Sequence, residues 1–267
     1  MTLNRSRERL LRRIGTRKGR EAEGVVLLEG PRVVETALDH GAEIVFGAFE
    51  AGARSPAVAQ ALDRLVEGGA DMAEVPSANF LELAQTDTPQ GLLAVAREPR
   101  AADPPARLGS RVLVFDRLQD PGNVGTLVRA AAGLGVERVL ALDGTADPWS
   151  AKAVRASAGL AFRLPPWALD WEEAREWIEG SGLPIVVADA GGEDVRQWLA
   201  RSPLGPGFAL VLGNEAAGPR PEVLSAARTK LAVPLALGVE SLNVGAAGAV
   251  LLWALGPGRE LPGEVRG

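Results

Sequence analysis

The 267-residue chain contains no cysteine, no tyrosine and a single histidine. Without cysteine there can be no disulfide framework, thiolate zinc site, iron–sulfur cluster or cysteine nucleophile. With His40 alone, a multi-histidine metal site is excluded, and a Ser–His–Asp triad would have one candidate base. His40 stands in Asp39-His-Gly41 at the end of a helical pattern, where a C-terminal cap is its expected role. Long apolar runs are missing as well. The longest uncharged apolar stretch, Val244–Gly258, is shorter than the ~20 residues a membrane helix needs. No secretory apolar segment follows Met1, so the sequence reads as a soluble cytoplasmic protein without a membrane partner. Nucleotide signatures are absent too. There is no G-x-x-x-x-G-K-[ST] loop, and Gly133-Leu-Gly135 lacks the third glycine of a dinucleotide fingerprint, which argues against nucleotide hydrolysis and NAD chemistry.

Lysine is scarce: Lys18, Lys152 and Lys230 are the only three among 29 basic residues. The rest are arginines, and they are unevenly spread. Residues 1–20 carry Arg5, Arg7, Arg9, Arg12, Arg13, Arg17, Lys18 and Arg20 against Glu8, a charge of +7, which leaves −12 for the remaining 247 residues. Arginine grips phosphate bidentately and stacks on bases. A basic N-terminal segment on an acidic body points to nucleic acid; the plainer reading is a solvated helix in an arginine-rich sequence.

The proline-rich run REPRAADPPARLGS at 97–110 marks a linker over 99–109 between an N-terminal domain, 1–98, and a C-terminal domain, 110–267. The first half alternates helices and strands. A helix is expected over Ser6–Arg20, with strands at Val25–Glu29, Glu43–Phe49, Met72–Val75 and Leu92–Ala96. Pro31 opens one helix at its first turn, another spans Pro56–Glu67, and Ser77 is expected to cap a third. In the second half Val112–Phe115, Val139–Leu142, Ile185–Ala188, Phe208–Leu212 and Leu231–Val233 are continuous apolar runs, the mark of a mostly parallel sheet covered by helices on both faces. Helices are expected at Val124–Leu134, Ser150–Ser157, Trp171–Glu179, Pro221–Ala227 and Ser241–Leu255, with Asp170 and Glu173 forming a capping box.

Three polar clusters stand at strand ends of this second half, where open α/β sheets place their ligands. In Asp120-Pro-Gly-Asn-Val-Gly-Thr-Leu-Val-Arg129, Asn123 can simply cap the helix beside it, but Arg129 lies in a helix made mostly of Val, Leu, Ala and Gly and must reach a polar partner or a groove. In Leu212-Gly-Asn-Glu-Ala-Ala-Gly218, Gly213 allows close approach of a ligand, although, taken alone, the cluster reads better as a plain β-turn before the helix at Pro221. The third, VPLALGVESLNVGAAGAV at 233–250, runs from a strand end into an apolar helix that Ser241 or Asn243 could cap.

In order and spacing, DPGNVGTLVRAA, LVLGNEAAGP and VPLALGVESLNVGAAGAVLLW resemble motifs 1, 2 and 3 of the SpoU/TrmH branch of the SPOUT methyltransferases. Ala153–Gly159 is similar to the stretch between them, and LLEGPRVVETAL at 27–38 is similar to the substrate-binding domain of the ribosomal RNA ribose 2′-O-methyltransferases. The resemblance implies a C-terminal SPOUT domain with a trefoil knot, a smaller N-terminal α/β domain, and a homodimer. It implies S-adenosylmethionine held at Leu212, Gly213, Asn214, Val233 and Leu242, a catalytic set of Asn123, Arg129, Glu215, Ser241 and Asn243, and no metal. Arg129 of one subunit is expected to complete the site of the other, helped by close packing at the small residues Gly245–Ala249. The expected RNA contacts are Arg5, Arg9, Arg12, Arg13, Arg17, Arg32 and Arg155. The implied reaction is methylation of a ribose 2′-hydroxyl, with large-subunit ribosomal RNA as substrate. A transfer RNA enzyme and a non-catalytic RNA-binding protein of the same fold are the alternatives. One departure stands out: relatives often have glycine after the motif 2 glutamate, where this chain has Ala216, and a left-handed turn there would be strained. Guanidinium does not give up its proton in proteins, so Arg129 is read as a clamp on phosphate and developing alkoxide charge, leaving the proton acceptor unassigned.

Overall fold

The computed structural model of the chain describes residues 3–53, 55–86, 88–99, 108–201 and 207–256. It forms two compact units, Met1–Arg100 with Asp147–Pro165, and Ala101–Ala146 with Pro166–Gly267. Of the expected linker at 99–109, residues 100–107 lie outside the described residues. Leu108 behaves as core instead: it is buried in the second unit, and its N–H donates to Ser181 Oγ at 3.0 Å.

The first unit is built on a four-stranded sheet of β1 (Val25–Glu29), β2 (Ile44–Glu50), β3 (Met72–Val75) and β4 (Leu92–Arg97) in the order β1-β4-β2-β3. β4 runs antiparallel to both neighbours, and β2 and β3 are parallel. Strand side chains alternate between faces. Val25, Leu27, Phe46, Ala48, Leu93 and Val95 share one core with Leu11, Ile14, Phe80 and Leu83 from the flanking helices. On the other face α3 (Pro31–Asp39), buried through Val33, Val34 and Ala37, packs on β1, β4 and α4 (Pro56–Glu67).

The continuous helix expected over Ser6–Arg20 is two helices, α1 (Arg5–Arg13) and α2 (Arg17–Glu23). Thr16 is extended and its Oγ1 accepts the N–H of Gly19 at 3.1 Å, so a new N-cap forms inside the expected helix. A Cβ on Gly19 would overlap the carbonyl oxygen of Arg13, so glycine is what lets the chain double back there. The break buries Ile14 and turns Arg20 inward, where its guanidinium donates to the Ile14 carbonyl at 2.8 Å and pairs with Asp147. Ser77 is likewise not a cap; the N-cap of α5 (Ser77–Leu83) is Pro76, without a side-chain bond. His40 is the C-cap of α3, through its backbone N–H.

The Arg20–Asp147 pair also explains why the units do not follow a single cut at the linker. Asp147–Pro165 packs with the first unit: α7 (Ala151–Ala156) lies against β1, and Gly159, at φ 83°, would put a Cβ 2.6 Å from the Val33 carbonyl oxygen.

The second unit has a six-stranded, fully parallel sheet in the order β10-β8-β9-β5-β6-β7. The strands are β5 (Arg111–Asp116), β6 (Arg138–Leu142), β7 (Pro166–Leu169), β8 (Ile185–Asp194), β9 (Phe208–Gly213) and β10 (Thr229–Ala232). Val112, Val114, Leu140, Leu142, Ala209 and Val211 form one core with α8 (Trp171–Gly180), including Trp171, and with Val223 of α10 (Pro221–Ala226). The Asp170–Glu173 capping box opens α8, and Trp177 packs against the same core. The opposite face carries α6 (Pro121–Gly133) and α11 (Val244–Leu255), which pack on each other. β7 and the short α9 (Val195–Arg201) escape the sequence reading, β7 because it starts at a proline on the sheet edge and buries little.

Candidate functional site

At the carboxyl end of β9 the chain turns tightly through residues 214–218. Asn214 builds the turn: its Oδ1 accepts the N–H groups of Ala216 and Ala217 at 3.0 and 2.9 Å, and its Nδ2 donates to the Arg117 carbonyl at 3.0 Å. The left-handed residue is Gly218, at φ 70°, so Ala216 is not required to adopt a positive φ and the strain expected there does not arise. Gly213 is needed by the chain itself. A Cβ there would overlap the backbone nitrogen of Pro219 and lie 2.6 Å from the carbonyl carbon of Gly218. The far end of the turn is anchored by the fully buried Asp116, which accepts the backbone N–H of Arg220 at 2.6 Å and its Nε at 2.7 Å.

Strand order places β8 between β9 and β10, so three chain segments leave the sheet side by side. Residues 188–194, 212–219 and 231–244 line a cleft of about 760 Å³, inside the roughly 300–1,000 Å³ range of small-molecule sites. Leu212, Gly213, Asn214, Val233 and Leu242 all line it, as do Glu215, Ser241 and Asn243. Asp189 also lines it and escapes the sequence reading. Its signal is the one that singles out Asn214, a polar side chain directly after an apolar strand run. The acids Asp189, Asp194, Glu215 and Glu240 are in the lining, and no described lysine, arginine or histidine is. Such a cleft repels a phosphate-bearing cofactor and suits a neutral or cationic one.

A chain of side-chain hydrogen bonds joins the three clusters. Asn243 is the N-cap of α11; its Oδ1 accepts from Gly245 and Ala246 N–H at 2.9 and 3.3 Å. Its Nδ2 donates to Asn123 Oδ1 at 3.0 Å, and Asn123 Nδ2 donates to Glu215 Oε1 at 3.0 Å. Glu215 accepts two further bonds, from the backbone N–H of Gln119 at 3.1 Å and of Asp120 at 3.4 Å. Partial burial alone would raise the Glu215 pKa, but the bonds from Asn123, Gln119 and Asp120 outweigh it and hold the group below the ordinary carboxylate value. Asn123 is therefore a link and not a cap; the N-cap of α6 is Asp120, whose side chain accepts from Gly122 at 2.9 Å.

Ser241 is exposed on the cleft wall. Arg129 lies on the exposed side of α6, away from buried Val124, Leu127, Val128 and Ala131, and makes no hydrogen bond or ion pair with the described residues. Being solvated, it carries no desolvation cost that demands a partner within its own chain. Gly248 of α11 serves packing within the chain. A Cβ on Gly248 would sit 2.5 Å from Leu127 Cδ2 and 2.6 Å from Leu212 Cδ1, so glycine lets α11 settle against α6 and β9.

The N-terminal arginines are largely neutralised. Arg12 pairs with Glu8 and Glu82, Arg13 with Glu23, Arg17 with Glu21, and Arg7 with Asp71. Arg5, Arg9, Arg32 and Arg155 are exposed and have no partner among the described residues.

The SpoU rRNA methylase family model matches residues 110–253, and the MRM3-like substrate binding domain matches residues 7–94. The chain belongs to the SpoU rRNA methylase family. It is 30% identical over 244 residues to the 23S rRNA (guanosine(2553)-2′-O)-methyltransferase RlmP of Bacillus subtilis, covering 91% of this chain and 93% of that one. An AdoMet-bound rRNA methyltransferase from Sinorhizobium meliloti superposes with a TM-score of 0.81 at 26% identity, covering 96% of both chains. An RNA 2′-O ribose methyltransferase structure gives 0.81 at 32% identity over 94% of this chain and 95% of that one. The SpoU match runs through residues 147–165, so the stretch that packs with the first unit is still part of the SpoU sequence.

Proposed function

We propose that this SpoU protein transfers a methyl group from S-adenosylmethionine to a ribose 2′-hydroxyl of RNA, with large-subunit ribosomal RNA as substrate. The observation that carries the reading is the convergence of the loops after β9 and β10 on one acid-lined cleft, with Asn123, Glu215 and Asn243 bonded in series at its edge. The residues present fit the cofactor. Leu212, Val233, Leu235 and Leu242 offer apolar walls for an adenosine, and the absence of described basic residues in the lining suits a cationic sulfonium. When bound, the cofactor supplies a methyl group already activated for in-line displacement.

What the chain adds is alignment. Glu215, kept ionised by its donors, ties the loop of residues 214–218 to the start of α6, and Asn243 ties α11 to the same point. We assign Arg129 to a phosphate clamp and stabiliser of alkoxide charge, acting from one copy of a homodimer on the cleft of the other. Its exposure and its lack of a partner among the described residues, together with the exposed Val250 and Trp253 on α11, support that arrangement. Arg5, Arg9, Arg32 and Arg155 are the better candidates for RNA contact, because Arg12, Arg13 and Arg17 are already paired. The trefoil knot and the independence of the reaction from metal belong to the same proposal.

The test is transfer of labelled methyl from S-adenosylmethionine to ribosomal RNA, with and without EDTA, followed by mapping of 2′-O-methyl positions. One modified ribose is expected. Methylation of a base, or a strict need for a divalent ion beyond RNA folding, would refute the reading.

A further inference from the structure

β8 does not stop where its apolar run stops. It pairs with β10 at Val186 and Val187, and again at Glu193 and Asp194, opposite Thr229–Lys230 and Leu231–Ala232. Between the adjacent residues Lys230 and Leu231, the five residues 188–192 of β8 are therefore looped out of the ladder. The loop is pinned on its return: a Cβ on Gly192 would lie 2.7 Å from the carbonyl carbon and oxygen of Lys230, so only glycine lets it close. The loop forms the wall of the cleft between the other two lining segments, and Asp189 is its half-buried carboxylate.

Asp189 has one oxygen committed and one available. Oδ1 accepts the N–H of Gly191 at 2.8 Å, which fixes the side chain, and Oδ2 makes no bond with the described residues. The neighbouring acids are placed differently. Asp194 is held by Arg196, Glu215 is saturated by three donors, and Glu240 stands on the fully exposed stretch 236–241. A fixed carboxylate with a free oxygen at a parallel strand's carboxyl end is how nucleotide-binding sheets recognise ribose hydroxyls.

We propose that Asp189 is a specificity-determining residue of the cofactor site, accepting a hydrogen bond from a ribose hydroxyl of S-adenosylmethionine. The inference rests on the methyltransferase reading and adds a side-chain contact to it. A hydrogen bond from a hydroxyl to a carboxylate is worth about ten- to a hundredfold in affinity.

Calorimetric binding with S-adenosylmethionine, its 2′-deoxy and 3′-deoxy analogues, and 5′-methylthioadenosine, which lacks the ammonium group, tests this directly. For the wild-type chain, one deoxy analogue should bind about ten- to a hundredfold more weakly than the parent. Asp189→Ala should weaken S-adenosylmethionine by a similar factor and bind the parent and that analogue equally. Asp189→Asn, which keeps the acceptor for Gly191, should give a smaller loss with an unchanged melting temperature. Undiminished discrimination in Asp189→Ala would overturn the proposal. So would equal binding of 5′-methylthioadenosine by wild type and Asp189→Ala, which would show the carboxylate reading the ammonium instead. A wild-type chain that binds none of these ligands would refute the methyltransferase reading itself.

Discussion

The serial bonds through Asn123 make a strong prediction about polarity. Asn243 Oδ1 is committed to two N–H groups of α11, so its Nδ2 must face Asn123 Oδ1, and Asn123 Nδ2 must face Glu215. Asn243→Asp keeps the cap but sets an oxygen against Asn123 Oδ1. If Asn123 turns over to relieve that clash, its oxygen meets the Glu215 carboxylate. One acceptor–acceptor contact survives either way, costing about 1–3 kcal/mol for the lost bond and the unsatisfied group. Glu215→Gln alone puts an amide N–H against Gln119 N–H or against Asn123 and Asp120, at a similar cost. Together the two changes permit a reversed chain. Asn123 turns over, its Nδ2 donating to the new carboxylate and its oxygen accepting from the new glutamine amide, while the glutamine oxygen keeps the Gln119 bond. Only the longest contact, to Asp120, is lost. Urea unfolding and S-adenosylmethionine titration of wild type, both singles and the double should show a favourable coupling of about 1–2 kcal/mol, within the range for residues in one network. Additive losses would refute the serial chain.

Four shorter expectations follow. Gly213→Ala forces a Cβ into the backbone of Pro219 and should abolish cofactor binding, whereas Gly218→Ala, at φ 70° with open space, should cost about 1–2 kcal/mol in urea melts. Arg20→Met leaves the half-buried Asp147 with only the Trp149 N–H and should destabilise the chain by about 3 kcal/mol, with much of the loss recovered by adding Asp147→Leu; no recovery would mean the pair is not the cause. Because the folded pKa of Glu215 is depressed, its contribution to stability is complete above the ordinary value of 4.5 and vanishes as pH falls through the lower folded value. The stability gap between wild type and Glu215→Gln should thus be constant from pH 7 to about 5 and close only in stronger acid; closure near pH 6 would contradict it. Arg129→Lys should lose turnover almost as fully as Arg129→Ala, by about 10²-fold, with cofactor affinity unchanged. A lysine variant whose single-turnover rate recovers toward pH 10 would point to proton abstraction instead.

The sequence marks the strands and most helix boundaries because apolar runs and proline or Asx caps are local signals. Pro56–Glu67 and Met72–Val75 are found at those same limits. The second and third clusters meet at one cleft, as their positions after strands imply, and Asn123 of the first is tied to its edge by hydrogen bonds. What stays hidden depends on contacts across the chain. The split between α1 and α2 follows from Gly19 touching Arg13, and burial of Arg20 follows from Asp147, 127 residues away. Counting charges likewise overstates the free basic surface of residues 1–20, because partners such as Asp71 and Glu82 arrive only with the fold. The loop at 188–192 is invisible for the same reason: nothing in IVVADAGGED says that β10 will take up the pairing again after a gap.

The polar network also narrows what can move a proton. Glu215 would need a raised pKa to act as a base near neutrality, and its three donors push it the other way. Asn123 and Asn243 have no basic atom, and a guanidinium is no general base. Of the other polar groups in the lining, Ser241 and Glu240 are exposed to water, Asp194 is held by Arg196, and Asp189 is assigned above to the cofactor. A sulfonium methyl donor is reactive enough that a 2′-hydroxyl held in line can pass its proton to solvent as the carbon–oxygen bond forms, leaving partial alkoxide charge on the oxygen. The protein then has to supply geometry and a positive charge at the developing alkoxide, and little else. On the reading proposed above, Asn123, Glu215 and Asn243, bonded in series, supply the geometry, and Arg129, exposed and unpaired among the described residues, supplies the charge.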